Sequence, residues 1–115
     1  MTTEERFMEL AAEAVDGLPP WINDAMDNVE IFLEDRPPHD QPGLLGLYQG
    51  VPLAKRGTHY SGMLPDRITL FREPIEREAG GSDARLRALV ARTVAHEVAH
   101  HFGISDDRLR EIGAY

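Results

Sequence analysis

The residues best suited to carry chemistry lie between positions 96 and 106. His96-Glu97-Val98-Ala99-His100 has the pattern HExxH, within a segment whose apolar spacing predicts a helix. Because residues four apart lie on one helix face, both imidazoles can bind one metal ion, and Glu97 can reach a water bound to that ion. The spacing therefore predicts a metal site with His96 and His100 as ligands and Glu97 as the catalytic general base.

Two further residues extend this motif. Gly103 and Asp106 follow at intervals of three and complete the pattern HExxHxxGxxD. A glycine can turn the chain after the helix, so that the Asp106 carboxylate returns as a third metal ligand. Asp106 could instead cap the last helix or act as its first-turn acid, with Asp107 as the neighbouring candidate. We expect His96, His100 and Asp106 to bind Zn²⁺, and the same ligand types also suit iron(II).

The other histidines and the tyrosines give weaker signals. His101 is one residue off the ligand face, so we expect it to be structural or exposed. His39 and His59 lie in predicted loops, and Asp40 beside His39 leaves a second metal site there as an alternative. Three tyrosines could donate a hydrogen bond to an oxyanion or simply pack: Tyr48, Tyr60 and Tyr115.

The helix that must position the motif is the most clearly predicted element. Ser82 and Asp83 can cap its start, and Gly103 suits a left-handed position just after its end. Ser105 and the two aspartates after it then begin a short last helix. The apolar residues that recur at helical spacing in the long helix are Leu86, Leu89, Val90, Val94, Ala95, Val98, Ala99 and Phe102.

The rest of the chain predicts a small sheet and further helices. Thr3 can cap an N-terminal helix that Gly17 ends, and Pro20 can open a short second helix. Apolar and β-branched runs predict strands at 29–34, 44–48 and 65–72, with a loop at 35–43, and Pro74 ends or bends the last strand. The order favours an α+β domain, with the small sheet packed on the long helix between an N-terminal helix and a short C-terminal helix.

Composition bounds the function classes. The 115 residues suit one domain spanning 1–115, and the net charge of −8 argues against nucleic acid and anionic membranes as partners. The absence of cysteine excludes disulfides, thiolate zinc sites and cysteine nucleophiles. No stretch approaches the roughly 20 apolar residues that span a bilayer, and the N-terminus lacks a signal core. We therefore expect a soluble, cytoplasmic protein.

These residues resemble a known group. The HExxHxxGxxD stretch is similar to that of zincin metallopeptidases, and the segments 46–52, 65–72 and 93–106 together resemble the minimal zincin family of short bacterial domains. The resemblance covers 29–113 and implies a minimal zincin-like fold in which His96, His100 and Asp106 bind zinc and Glu97 is the general base. Larger metzincins usually have a third histidine where Asp106 stands, and a methionine turn beyond it. Here all four methionines precede the motif.

The sequence thus predicts a zinc metalloendopeptidase that hydrolyses peptide bonds with a Glu-activated, zinc-bound water and takes a peptide or protein substrate. We also expect an extended peptide to pair with an exposed edge of the strand around Ile68 to Phe71. The alternative is a zinc-stabilised, non-catalytic binding or regulatory module. A metal-free interaction domain and a hydrolase acting on a nonpeptide bond also remain open, because HExxH does not itself choose the bond that is cleaved.

Overall fold

The computed structural model describes residues 4–26, 28–51 and 65–111. This part of the chain forms five helices and three strands, which confirms the predicted α+β class. No helix in it is both long and apolar enough to cross a membrane. In chain order the elements are α1 (Glu4–Asp16), α2 (Pro20–Ala25), β1 (Val29–Glu34), β2 (Gly46–Gln49), β3 (Asp66–Phe71), α3 (Arg72–Ala79), α4 (Asp83–His101) and α5 (Asp106–Glu111). The predictions made for four residues lie outside the described part of the chain, and these are Thr3, His59, Tyr60 and Tyr115.

The three strands form a mixed sheet in the order β1-β3-β2. β1 runs parallel to β3 with Val29 opposite Asp66, whereas β2 runs antiparallel to β3 with Gly46 opposite Leu70. β3 is therefore hydrogen-bonded on both sides. The expectation that a peptide pairs with an exposed edge at 68–71 is wrong, because β1 and β2 already occupy both edges of that strand.

The hydrophobic core lies between the sheet and two helices. α4 buries residues spaced three or four apart along one face, and α1 packs across it with a stripe of its own. Burying side chains of this size contributes about 1.5–3 kcal/mol each relative to leaving them exposed. The residues that form the centre of the core are Phe7, Leu10, Ala11, Ile68, Leu70, Ile75, Leu86, Val90, Val94 and Val98.

Helix α3 is an element that the sequence analysis did not predict. It starts directly after β3, and Pro74 lies in its first turn, where the missing N–H of proline costs no intrahelical hydrogen bond. Ile75 is fully buried and anchors α3 to the core. The side chain of Arg72 contacts Asp35 and Glu76 at 2.8 Å each, and the hydrogen bond to Asp35 raises the pKa of its guanidinium.

The two ends of α4 are fixed by the residues predicted for them. At the start, Ser82 Oγ accepts a hydrogen bond from the Arg85 N–H at 3.2 Å. At the end, Gly103 adopts a φ of 87°, in the left-handed region that favours glycine. Ser105 then caps α5 by accepting a hydrogen bond from the Arg108 N–H at 3.2 Å. This turn returns the chain toward the last turns of α4.

Candidate metal centre

The C-terminal half of α4 brings the two histidines of the motif together, as their spacing requires. The Nε2 atoms of His96 and His100 lie 3.1 Å apart, and the two ring centroids are separated by 4.8 Å. Both side chains are partly buried, with 21% and 26% of their surfaces exposed. The two Nε2 atoms therefore converge on one point from two partly exposed side chains.

Asp106 comes to the same point from α5. Its Oδ1 atom lies 3.1 Å from His96 Nε2 and 2.9 Å from His100 Nε2. This oxygen is buried and has no hydrogen-bond partner of suitable geometry within the residues described. Asp107 is exposed, and Ser105 is the residue that caps α5, so Asp106 is left to face both imidazoles.

These three atoms fit a divalent cation. Two neutral imidazole nitrogens and a carboxylate oxygen all present lone pairs, so they satisfy one another poorly unless a cation lies between them. Ligand atoms about 2.0–2.1 Å from a tetrahedral zinc ion lie roughly 3.3 Å from each other. The separations of 2.9–3.1 Å in this triangle are close to that value. The donor set therefore suits zinc, which in catalytic sites takes three protein ligands and leaves a fourth position for water or substrate.

The electrostatics of the site favour imidazole in its metal-binding form. Burial lowers the pKa of His96, and the neighbouring His100 lowers it further, while Asp106 opposes both effects. A lowered pKa keeps the ring neutral at physiological pH, so that its nitrogen lone pair stays available. The site therefore holds His96 ready to act as a ligand.

Glu97 lies beside this triangle on the inner side of α4. Its side chain is buried, with 7% of the residue exposed, and its carboxyl oxygen lies within 4.8 Å of the histidine ligand atoms. Burial raises the pKa of Glu97 to about 7 and Asp106 acts in the same direction, whereas His100 and a hydrogen bond from the backbone N–H of Tyr48 oppose the rise. A carboxyl that titrates near neutrality can both accept and return a proton.

Strand β2 presents its outer edge to this part of α4. The Phe71 N–H donates to the Leu45 carbonyl at 2.9 Å, and antiparallel pairing alternates, so Gly46 and Tyr48 direct their backbone groups away from β3. A Cβ atom at Gly46 would overlap the Thr93 methyl and crowd Glu97 Cγ. Glycine at position 46 thus allows β2 to approach Glu97 closely.

A cleft of about 310 Å³ opens beside Glu97. Its floor is the face of α4 that carries His96, and its wall is the segment that leads into β2. Thr93 bonds its hydroxyl to the Leu89 carbonyl at 2.7 Å, so the polar atom is satisfied within the helix. The lining residues are Gly43, Leu44, Leu45, Gly46, Glu78, Leu89, Arg92, Thr93, His96 and Glu97.

Sequence reasoning missed a polar cluster on the other side of the site. His101 is fully buried, so it is the structural residue of the two alternatives, and its Nδ1 atom lies 2.9 Å from Asp66 Oδ2. The Tyr48 hydroxyl donates to the same oxygen at 2.6 Å. The spacing of His101 from Val94 and Val98 indicates the buried face, but no local signal connects it to Asp66, which is 35 residues away in sequence. The loop residue His39, by contrast, is exposed.

The comparisons with known proteins agree with this geometry. A family model described as "zincin-like metallopeptidase" matches residues 26–114, which is well over half of the chain and includes the whole HExxHxxGxxD stretch. Among the curated proteins compared with this chain, none matches it. The family assignment therefore rests on the family model, which matches the sequence over residues 26–114.

Proposed function

The chain belongs to the zincin-like metallopeptidase family, and from this premise we propose that it is a zinc-dependent endopeptidase. The observation that carries the proposal is the convergence of His96, His100 and Asp106 next to a buried Glu97. In this proposal the first three residues hold the metal and Glu97 handles protons. When bound, zinc would polarise the scissile carbonyl and make water at the site more acidic.

Glu97 acts as the general base in this proposal. Its carboxylate takes a proton from the attacking water and then delivers that proton to the amine that leaves. A pKa of about 7 suits both transfers, because the group exists in both protonation states near neutral pH. The N–H of Tyr48 holds the carboxyl in place during this exchange.

The edge of β2 is the best candidate for binding the substrate backbone. The backbone of Gly46 and the carbonyl of Tyr48 point away from β3, and no described strand pairs with β2 on that side. An extended peptide can therefore add to the sheet there by main-chain hydrogen bonds while the Tyr48 N–H stays on Glu97. The cleft starts at the same place and has apolar walls from Leu44, Leu45 and Leu89, which suit a substrate side chain next to the scissile bond. The proposed binding edge for the peptide is thus β2, whereas the sequence analysis expected β3.

A peptide-library assay tests the proposal. We expect zinc-loaded wild-type protein to cleave peptides and Glu97→Gln to lower the rate by about 10²–10⁴-fold, the usual contribution of a general base. The control is zinc content, which should be the same in both proteins because Glu97 is not a proposed ligand. If the wild type binds one zinc per chain and cleaves nothing in the library, the alternative of a zinc-stabilised binding module is favoured instead.

A further inference from the structure

Asp66 is a buried carboxylate that the proposed chemistry does not use. It begins β3, is 2% exposed, and donates its backbone N–H to the Asn28 carbonyl at 2.8 Å. Its side chain accepts hydrogen bonds from the Tyr48 hydroxyl at 2.6 Å, from His101 Nδ1 at 2.9 Å and from the Val51 N–H at 3.4 Å. A buried charge is costly unless it is bonded in this way, so the three donors and the carboxylate stabilise one another.

The partners of Asp66 belong to the elements that form the site. Tyr48 is part of β2, whose edge faces Glu97, and His101 directly follows the proposed ligand His100 in α4. The rings of Tyr48 and His101 meet edge to face, with centroids 5.7 Å apart. A Cβ atom at Gly50 would overlap the Asp66 carboxyl, so the turn after β2 is also packed onto this group. One carboxylate thus joins the edge strand to the site helix.

Tyr48 contacts both groups at once. Its hydroxyl donates to Asp66, and its backbone N–H donates to the Glu97 carboxyl. The aromatic ring is rigid, so fixing its hydroxyl restricts the position of the backbone from which it projects. A shift of β2 along α4 would break both hydrogen bonds together.

We propose that Asp66 is a positioning residue for the site: through Tyr48 and His101 it holds β2 against α4 and so keeps the backbone of β2 in place beside Glu97. The inference rests on the proposed function insofar as it treats Glu97 as the general base. The placement of the Tyr48 N–H is a separate property, which can be measured whether or not a substrate is known.

The test uses Tyr48→Phe in the full chain loaded with zinc, because this change removes one hydroxyl and keeps the ring. We expect hydrogen exchange of the amide at position 48, measured by NMR, to become about tenfold faster, as the loss of one hydrogen bond of ordinary net strength allows. In a peptidase assay kcat should fall by a similar factor while the zinc content stays the same. Glu97→Gln identifies the amide signal, because it alters the acceptor of that N–H directly.

A second variant and a control separate positioning from general stability. Asp66→Asn keeps the side-chain shape and removes the charge, and we expect it to change the same amide and kcat in the same direction. Asn23→Ala removes side-chain hydrogen bonds to the Val15 carbonyl at 3.1 Å and the Leu18 carbonyl at 3.5 Å, between α1 and α2. It should lower the unfolding temperature and leave both the amide at position 48 and kcat unchanged.

The inference is overturned if Tyr48→Phe folds, binds zinc and leaves the exchange of the amide at position 48 unchanged. It is also overturned if Asn23→Ala lowers kcat as much as Tyr48→Phe does, because the effect is then one of stability alone. If Asp66→Asn does not fold, Tyr48→Phe decides. An inactive wild type contradicts the proposed function, but the amide exchange still tests the positioning role.

Discussion

Helix α4 contains two regions that are built in opposite ways. The first half buries Leu86, Val90 and Val94 in the apolar core, where every contact that stabilises them is supplied by the chain itself. The second half places His96, Glu97 and other polar groups partly or fully out of water, and the burial of such groups costs free energy unless they are paired. The comparison teaches that the first region stabilises the fold, whereas the second holds polar groups that, in the proposed function, exchange protons and bind a cation.

The largest effect should come from a substitution in the apolar core into which the first half of α4 packs. Phe7 is fully buried and belongs to the same core cluster as Val90 and Val94, so Phe7→Ala should lower the free energy of unfolding by about 3–5 kcal/mol. Urea denaturation of both proteins, with zinc and with a chelator, measures this loss of unfolding free energy. We expect the same loss in both conditions, and a loss that depends strongly on zinc would contradict the separation of the two regions.

The second effect concerns the stability of zinc-free protein and its dependence on pH. The pKa of Glu97 is about 7 in the folded state and near 4.5 when unfolded, so the folded state binds this proton more tightly. Stability therefore falls as pH rises from 4.5 to 7, by at most about 3 kcal/mol. Glu97→Gln has no such proton, so it should be more stable than wild type above pH 7 and about equal to it near pH 4.5.

The control for this measurement lies in His96. Its lowered pKa means that the folded state binds the imidazole proton less tightly, so stability is lost as pH falls below 6.5 toward the lower pKa of the folded state. Both proteins contain His96, and the difference between them in urea denaturation isolates Glu97. A difference that does not change with pH would show that Glu97 titrates normally.

The contrast between the two regions also explains what the sequence could predict. Repeating apolar patterns identify α4, β1 and β3, because helical and strand periods are local properties. Single residues at its two ends identify the limits of α4. The HExxHxxGxxD spacing brings His96, His100 and Asp106 together for the same reason, since one helix and one glycine turn suffice. α3 was missed because Pro74 reads as an interruption, although its position in the first turn is compatible with a helix.

Long-range contacts could not be predicted in this way. The central place of β3 depends on strand order, and the link from Asp66 to Tyr48 and His101 joins three separate elements. The spacing of apolar residues predicts neither the strand order nor contacts between separate elements. The wrong substrate edge and the missed Asp66 cluster therefore both concern the surroundings of the site rather than its proposed ligands.

A third, smaller effect is expected where β2 packs closely against α4 at Thr93 and Glu97. Gly46→Ala adds a methyl group that overlaps Thr93 and crowds Glu97, and overpacking of this kind costs about 1–3 kcal/mol. We expect it to reduce peptide cleavage as well, since β2 must move away from Glu97. Gly43→Ala is the matched control, because a Cβ atom there meets nothing within 4 Å. Equal losses for the two variants in thermal unfolding and cleavage assays would refute the close-approach argument.

The smallest effects come from the helix caps. Ser82 caps α4 and Ser105 caps α5, and replacing either with alanine should cost about 1 kcal/mol of local helix stability. Ser82→Ala should lower the unfolding temperature of the whole protein without changing zinc affinity. Ser105→Ala should weaken zinc binding instead, because α5 carries Asp106. Calorimetry of unfolding and of zinc binding distinguishes them, and identical behaviour of the two variants would argue against two regions.

The most direct test of the metal centre is the zinc content of tag-free protein, measured by elemental mass spectrometry for wild type, His96→Ala and Asp106→Ala. We expect close to one zinc per chain in the wild type, none in His96→Ala, and weakened binding in Asp106→Ala, because these side chains converge within 3.1 Å of each other. A wild-type protein that takes up no zinc even when zinc is supplied, or three proteins with equal zinc content, would contradict this account.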